Sequence, residues 1–403
     1  MKHIRIAVLI ACTCSVSAAF CQQSAVNPLN NWSEFHRSDM QRYNPYEDTL
    51  GVSNVADLKL KWGYPMGTDE PSSPVVAGGV VYVQTLAGLC EACGIVFAVK
   101  DGSLLWSYNE GLGGGSDSTP AVADGVVYFG NYSGVVQALD ASSGAYLWGS
   151  NPIGDFIDSS PAVSLGMIFV GSAFDGNTTG AVTALSTSDG TVVWSFSTGA
   201  EVASSPAVVG NVVYVGSEDN NVYALKARTG AKLWNYTTGG FVNSSPAVAN
   251  QVVYVGSWDG NLYALNATTG AKLWSYTTGG RVGSSPAVAN GVVYVGSADG
   301  NLYALNATTG AKLWSFSTGE TVSSSPAVAN GVVYIGVETT PYIGYDNYGN
   351  NLYALNATTG AVLWSYVPDI PAADTSAYSP SVADGQVYFG SNYGNSVVAF
   401  GLK

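Results

Sequence analysis

The side chains that could do chemistry in this chain sit at three kinds of place. The first is a recurring one: just ahead of a repeated Ser-Ser-Pro, or its near variants, stand Asp69, Asp117, Asp158, Glu201, Asn243 and Arg281. Polar identity changes there while the surroundings hardly do. Brought together, these groups would form a ligand-facing ring able to hydrogen-bond or to balance charge; kept apart, each is a solvated loop residue. The second is Trp258, which replaces a small residue in a near-identical turn, Ser257-Trp258-Asp259-Gly260 against Ser297-Ala298-Asp299-Gly300. Its flat ring can stack on a ligand or pack on a neighbouring loop. The third is Gly88-Leu89-Cys90-Glu91-Ala92-Cys93-Gly94. A thioredoxin-like motif needs a strand leading into a helix, whereas this one lies between two β-runs. Two thiols without histidines make a poor zinc site, so the expectation is a local disulfide between Cys90 and Cys93, with redox and metal roles as alternatives.

Other chemistries are excluded early. The only histidines are His3 and His36, which rules out multi-histidine metal sites and leaves a Ser-His-Asp triad resting on His36 alone. That residue has no identifiable nucleophile near it in the pattern, so a structural or surface role is expected, and no catalytic residue is assigned. Among 403 residues, 28 acids face 14 bases for a net charge of −14. Nucleic acid, which needs a basic footprint, is not a partner. Asp-Gly-Asn turns such as 259–261 could offer calcium ligands but read more simply as hairpin turns.

The amino terminus reads as an export segment. Lys2 and Arg5 precede an apolar run and then small residues ending at Ala19, the arrangement of a signal peptide over 1–19. Leu9-Ile10-Ala11-Cys12 also resembles a lipobox, so a lipid anchor on Cys12 is the alternative. Either way the expectation is an exported protein of the periplasm, cell surface or medium, or an outer-membrane lipoprotein. No other stretch approaches the 18 apolar residues of a transmembrane helix.

The elements that must position these side chains come from a repeat. The units from Pro246 and Pro286 are nearly identical, a third follows at Pro326, and their period is forty residues. Proline anchors give eight copies, at Pro74, Pro120, Pro161, Pro206, Pro246, Pro286, Pro326 and Pro380. Tryptophan gives eight as well, Trp62, Trp106, Trp148, Trp194, Trp234, Trp274, Trp314 and Trp364, leaving Trp32 and Trp258 outside the pattern. Within one copy, 285–289, 292–296, 301–305 and 312–316 are short β-prone runs separated by Asn-Gly, Asp-Gly and Thr-Gly turns. Four strands per copy predict a propeller blade. The run 58–64 is a fourth strand without its first three, and the last copy stops at Lys403 without a tryptophan strand. The expectation is therefore an all-β, eight-bladed propeller over 58–403 closed by its N-terminal strand, preceded by a lead-in over 20–57.

At Ala264-Leu265-Asn266-Ala267-Thr268-Thr269-Gly270-Ala271-Lys272-Leu273-Trp274 the chain resembles the tryptophan-docking motif of pyrroloquinoline quinone (PQQ) repeat propellers, with Asn where the family often has Asp. The motif recurs at 138–148, which keeps Asp140, at 184–194, 224–234, 304–314 and 354–364, and shortened at 98–106. The resemblance implies that the eight tryptophans pack between blades as structural docking residues. Trp32-Ser33-Glu34-Phe35-His36-Arg37 and Asn44-Pro45-Tyr46 likewise resemble the lead-in of such propellers.

That superfamily includes quinoprotein alcohol and sugar dehydrogenases and the propeller lipoprotein of the outer-membrane β-barrel assembly machinery. The dehydrogenases typically carry adjacent cysteines at the cofactor and a calcium set of Glu, Asn and Asp, which implies PQQ with calcium as the cofactors of that reading. Here the cysteines are C-x-x-C, and three consecutive copies are almost uniform. The longer segments 84–94, 109–117, 173–180, 338–350 and 367–377 all fall on one predicted face. The reading is thus a binding or scaffold module of the cell envelope that contacts an envelope protein, peptide or glycan on the decorated face, with a PQQ-dependent dehydrogenase as the alternative.

Overall fold

The computed structural model describes residues 30–37, 40–67, 70–86, 93–112, 114–174, 176, 178–337, 351–366, 378–391 and 395–403. The repeat resolves into eight antiparallel sheets. Blade 5 shows how sequence sets the layers. Its first three strands are Ala247–Ala249, Val252–Gly256 and Asn261–Asn266, whose apolar residues, the half-buried Val252 apart, are buried on both faces because neighbouring blades cover both. Its outermost strand, Lys272–Thr277, alternates between exposed and half-buried positions. Continuous apolar runs inside and period-two runs outside follow from that placement.

A β-bulge marks each outer strand. Ala264 pairs with Trp274 and Leu265 with Lys272, so Leu273 is the extra residue. The same shift in blades 4 and 6 leaves Leu233 and Leu313 exposed and turns each tryptophan toward the next blade. There the indole N–H of Trp234 donates to Ala267 O at 2.9 Å, and Tyr214 donates its hydroxyl to the same carbonyl at 3.1 Å. The ring lies over Gly270, where a Cβ would come within 2.7 Å of it. Trp106, Trp194, Trp274 and Trp314 bond in the same way to Ala141, Ala227, Ala307 and Ala357. Trp148 reaches Thr187 O and Trp364 reaches Leu58 O, both at 3.2 Å. Trp62 lies over Gly102 of blade 1, but the shortened turn there presents no carbonyl to its N–H.

The ring closes as expected. Lys59–Pro65 pairs antiparallel with Ser396–Gly401 and supplies the outer strand of blade 8, leaving no unclosed sheet between first and last blades. Among the described residues no helix is long and apolar enough to cross a membrane.

The lead-in segment does something its sequence did not announce. It runs around the inside of the ring and touches each blade in turn, at the innermost strand in seven of them and at Ser205, just ahead of that strand, in the fourth. Trp32 exchanges two backbone bonds with Val76 (2.8 and 2.7 Å), Ser33 O accepts from Val122 N, and the Glu34 carboxylate accepts from Val163 N. His36 Nε2 lies 3.4 Å from Ser205 O. Met40, Gln41 and Arg42 carbonyls accept from Val248, Val288 and Val328. Asn44 donates to Val382 O at 2.8 Å. Arg42, 1% exposed, donates to the carbonyls of Phe35, Pro326, Ser325 and Pro380 and stacks on Phe35 with Cζ 4.6 Å from the ring centre. The segment then reaches the turns after the first strands, where Asn330 donates to Leu50 O and Gly385 N to the Glu47 carboxylate. It stoppers the channel from that end.

Toward the other end the Ser-Ser-Pro repeats form an annulus. Thr119 N donates to Ser160 Oγ, and the pattern continues through Ser205, Ser245, Ser285, Ser325, Ser379 and Ser73 at 2.9–3.0 Å per link. Above this annulus lies the face where the candidate site residues gather.

Candidate functional site

Among the described residues, two loops of a blade meet on this face, the turn after the second strand and the connection into the first. Glu218, Trp258 and Ala298 occupy one position of the turn in successive blades, and their N–H groups donate to Glu201, Phe241 and Arg281 O, each at 2.9 Å. The turns are clamped by aspartates. Asp259 Oδ2 accepts from Gly239 N at 2.7 Å and from the Tyr263 hydroxyl at 2.6 Å, while Oδ1 accepts from Asn261 N. Asp219 and Asp299 do the same for Gly199 and Gly279. These carboxylates are consumed by turn geometry, and no three His, Cys, Asp or Glu side chains come together as a metal-ligand set among the described residues.

The alignment sorts the predicted residues into two columns rather than one. Ile157, Val202, Val242 and Val282 each pack on a glycine of the preceding blade, which places Phe156, Glu201, Phe241 and Arg281 in one column. Asp117, Asp158 and Asn243, immediately before their Ser-Ser-Pro, form the other. Tyr132, whose N–H donates to Gly115 O, holds in blade 2 the position that Trp258 holds in blade 5.

Around Tyr132 the acids converge. Asp158 is half-buried, and its carboxyl is pushed up to about 7 by burial and by the charges of Asp117 and Glu201, against a lowering hydrogen bond from Tyr132. Burial also raises Asp117, again opposed by Tyr132. Glu201, 6% exposed, is lifted to about 7 by burial and by Glu218. The Tyr132 hydroxyl is raised by burial and by the same carboxylates. Glu218 in turn accepts from Asn243 Nδ2 at 2.9 Å. An open cavity of about 320 Å³ is lined by Tyr132, Phe156 and Asp158, with the two rings edge to face, centres 6.1 Å apart.

Farther round the mouth, Trp258 is half-buried between Phe241, 5.4 Å away, and Arg281, whose guanidinium carbon stands 4.7 Å from its ring centre. The ring therefore packs on neighbouring loops and still presents an aromatic-cationic patch. Asp69, Cys90 and Cys12 lie outside the described residues, as do 338–350 and 367–377; Cys93 opens the third strand of blade 1, Cys93–Lys100. His36 is buried, and its imidazole is pushed down to about 3 by burial and by Arg42.

Tyr132, Phe156, Glu218 and Glu110 did not stand out in the sequence. The first three were legible by reading the Trp258 and Glu201 positions across all blades. Glu110 lies in an outer strand, Ser103–Leu112, where burial lifts its carboxyl to about 7 although Gln84 Nε2 donates to it at 3.1 Å.

An eight-bladed ring of tryptophan-docked, four-stranded blades with its variable positions on one face defines the class of PQQ-type repeat propellers. The chain belongs to the PQQ_2 family, "Outer membrane protein assembly factor BamB", whose model matches residues 46–151, 132–281 and 238–403. It is 27% identical over 164 residues to the dehydrogenase subunit of a quinone alcohol dehydrogenase of Komagataeibacter europaeus, covering 35% of this chain and 22% of that protein. The chain thus matches about a fifth of that relative's length. Among solved structures it is similar to the quinohemoprotein alcohol dehydrogenase ADHIIG of Pseudomonas putida HK5, with a TM-score of 0.75, 17% identity, and 93% of this chain and 80% of that one covered. It is similar as well to BamB of Moraxella catarrhalis, with a TM-score of 0.65, 20% identity, and 86% and 100% covered. At these identities the two structures share the fold.

Taken without calcium, the described mouth is poorly matched in charge to PQQ. That quinone is a tricarboxylate, and the groups crowding the mouth are carboxyls that already repel one another. A buried anion needs an opposite charge. Among the groups described here the cation at the mouth is Arg281, already stacked on Trp258.

Proposed function

We propose that this protein is an exported binding or scaffold module of the cell envelope that contacts an envelope protein, peptide or glycan through the face carrying its long loops. The observation that carries this reading is the asymmetry of the two ends. The lead-in segment stoppers one end, while acids, amide, aromatics and cation vary from blade to blade at the other. Exchange of acidic, aromatic and cationic side chains at equivalent positions around one open mouth is how binding sites are grafted onto repeat folds. The family match, with its outer-membrane assembly factor description, supports the same reading. The test is capture from envelope extracts by the intact chain and by a variant lacking 338–350. Retention of a specific partner by the intact chain and its loss on deletion is the expected result; equal capture by both would count against the decorated face.

The second reading, PQQ-dependent alcohol or sugar oxidation with calcium, is favoured by the likeness to quinone alcohol dehydrogenase subunits. Titrating the protein with PQQ and calcium, with absorbance and dye-linked oxidation as readouts, tests it. Saturable binding with turnover would replace the scaffold reading.

A further inference from the structure

The aromatic-acidic cavity between blades 2 and 3 has an internal counterpart that indicates what it takes. Between blades 5 and 6, Trp258 of the turn is covered by the first-column residue of the next blade, Arg281, with the guanidinium carbon 4.7 Å from the ring centre. Between blades 2 and 3 the same two positions are Tyr132 and Phe156. Here the cover is a second ring set edge to face, and the space beside it is the cavity of about 320 Å³. Two residues farther along the chain stand Gly283 in one case and Asp158 in the other. One sector thus carries its own cation on an aromatic face. The other carries two aromatic faces and a carboxylate.

The polar groups of this second sector are also left incomplete. Asp158 Oδ1 is out of reach of water and has no hydrogen-bond partner. The hydroxyls of Ser118 and Ser159, adjacent to Asp117 and Asp158, are fully buried and unpartnered, whereas their counterparts Ser204, Ser244 and Ser284 each bond the next blade's backbone. Of these groups Asp158 belongs to the cavity lining, and its carboxylate keeps acceptor capacity for a donor seated there. The charges acting on the Asp158 carboxyl come from Asp117 and Glu201, both of its own sign, and the chain's net charge of −14 draws cations toward the protein.

We propose that the Tyr132–Phe156–Asp158 cavity binds an organic cation, an alkyl-borne ammonium or guanidinium group, seated on the two aromatic faces and neutralised by Asp158 with Asp117 and Glu201 behind it. This rests on the reading of that face as the contact face, and two sources share the chemistry: a free amine, or a Lys or Arg side chain of a bound protein. Cation–π attraction and a partly desolvated carboxylate reinforce each other in such a pocket.

Calorimetric titration of the intact chain with 1,5-diaminopentane, with N-acetyl-lysine methylamide and with N-acetyl-arginine methylamide tests the assignment, using N-acetyl-norleucine methylamide as the uncharged control. The expected result is saturable binding of at least one cation, no binding of the control, affinity that falls with added salt, and a loss of about tenfold or more in Asp158→Asn. Phe156→Leu, which keeps an apolar cover but removes the ring, should weaken binding as well and decides the matter if Asp158→Asn does not fold. Tighter binding of the diamine identifies a free amine; tighter binding of the blocked amino acids identifies a protein side chain. No saturation by any cation up to about 10 mM, or unchanged affinity in both variants, overturns the proposal. Failure here with a partner still captured on the 338–350 face leaves the scaffold reading standing. Cation binding with no captured partner would sink that reading and keep the pocket.

Discussion

Asn266 can stand where Asp140 stands because the turn needs an acceptor, not a charge. Asn266 Oδ1 accepts from the N–H groups of Thr268 and Thr269 at 3.0 and 2.9 Å. Asp140 Oδ1 does the same for Ser142 and Ser143, and these bonds with the two serine hydroxyls hold its carboxyl down at about 2. The glycine closing the turn has no such latitude. Gly270 has φ +72° and a Cβ there would lie 2.7 Å from the Trp234 ring, whereas Gly291 has φ +78° with nothing within 4 Å. Gly291→Ala should therefore cost only the left-handed conformation, about 1–2 kcal/mol, and Gly270→Ala clearly more, because the docked ring must also move. Urea unfolding of the two variants checks the difference; equal losses would mean that the indole does not need the glycine. Asp158 yields a pH prediction. Its folded carboxyl is raised to about 7 from an unfolded value of about 4, so the folded state holds the proton more tightly. Its ionisation then costs stability progressively as pH rises through that window. The groups facing it are Asp117, Glu201 and Tyr132. Burial of neutral His36 works in the opposite direction, so the readout is a difference. Wild type minus Asp158→Asn in melting temperature should become less favourable from pH 5 to pH 8; a flat difference would show that the carboxyl titrates normally.

At the scale of elements, the lead-in segment and the closing strand do different jobs. Lys59–Pro65 completes a sheet, a role visible in the sequence because the last copy lacks its tryptophan strand. The segment before it was legible only as a lead-in, since its partners are mostly backbone groups of innermost strands, and a Val248 N–H looks the same in sequence whatever accepts it. Arg42 shows how much such a segment can carry. Its guanidinium, lowered to about 9 by burial, serves four carbonyls from Phe35, Ser325, Pro326 and Pro380, so removing it strands acceptors in two blades. Arg42→Met should lose about 3 kcal/mol or more, and Arg42→Lys should not restore it, because an ammonium cannot reproduce the planar fork. Denaturant unfolding of both variants decides, and full rescue by lysine would show that charge alone matters there. The candidate site was half legible for a related reason. Distance from Ser-Ser-Pro put Asp158 and Glu201 in one set, but it is the packing of Ile157 and Val202 on the preceding blade's glycines that shows them one column apart, and shows Tyr132 to be the counterpart of Trp258.

For the whole molecule, the closed ring and the stopper make one mechanical object out of eight small cores. Each tryptophan couples a blade to the next, and the lead-in couples all of them to a single strip of chain. The two couplings can be separated experimentally, because removing residues 1–57 takes the strip and leaves the closing strand. The truncated protein should still form the ring, with a lower melting temperature. In it the amides of Val122, Val248, Val288 and Val328, which donate to the strip in the intact chain, would lose their acceptors and exchange much faster. Amides of the middle strands, such as Tyr254 opposite Ala264, keep their partners and should stay protected. Hydrogen exchange followed residue by residue therefore distinguishes two kinds of ring: one held by its blades and stoppered by the strip, and one held together by the strip itself. Fast exchange confined to the innermost amides establishes the first. Loss of protection in every strand would show that the strip is the keystone of the fold, and unchanged protection at the four valines would show that it does not line the channel in solution.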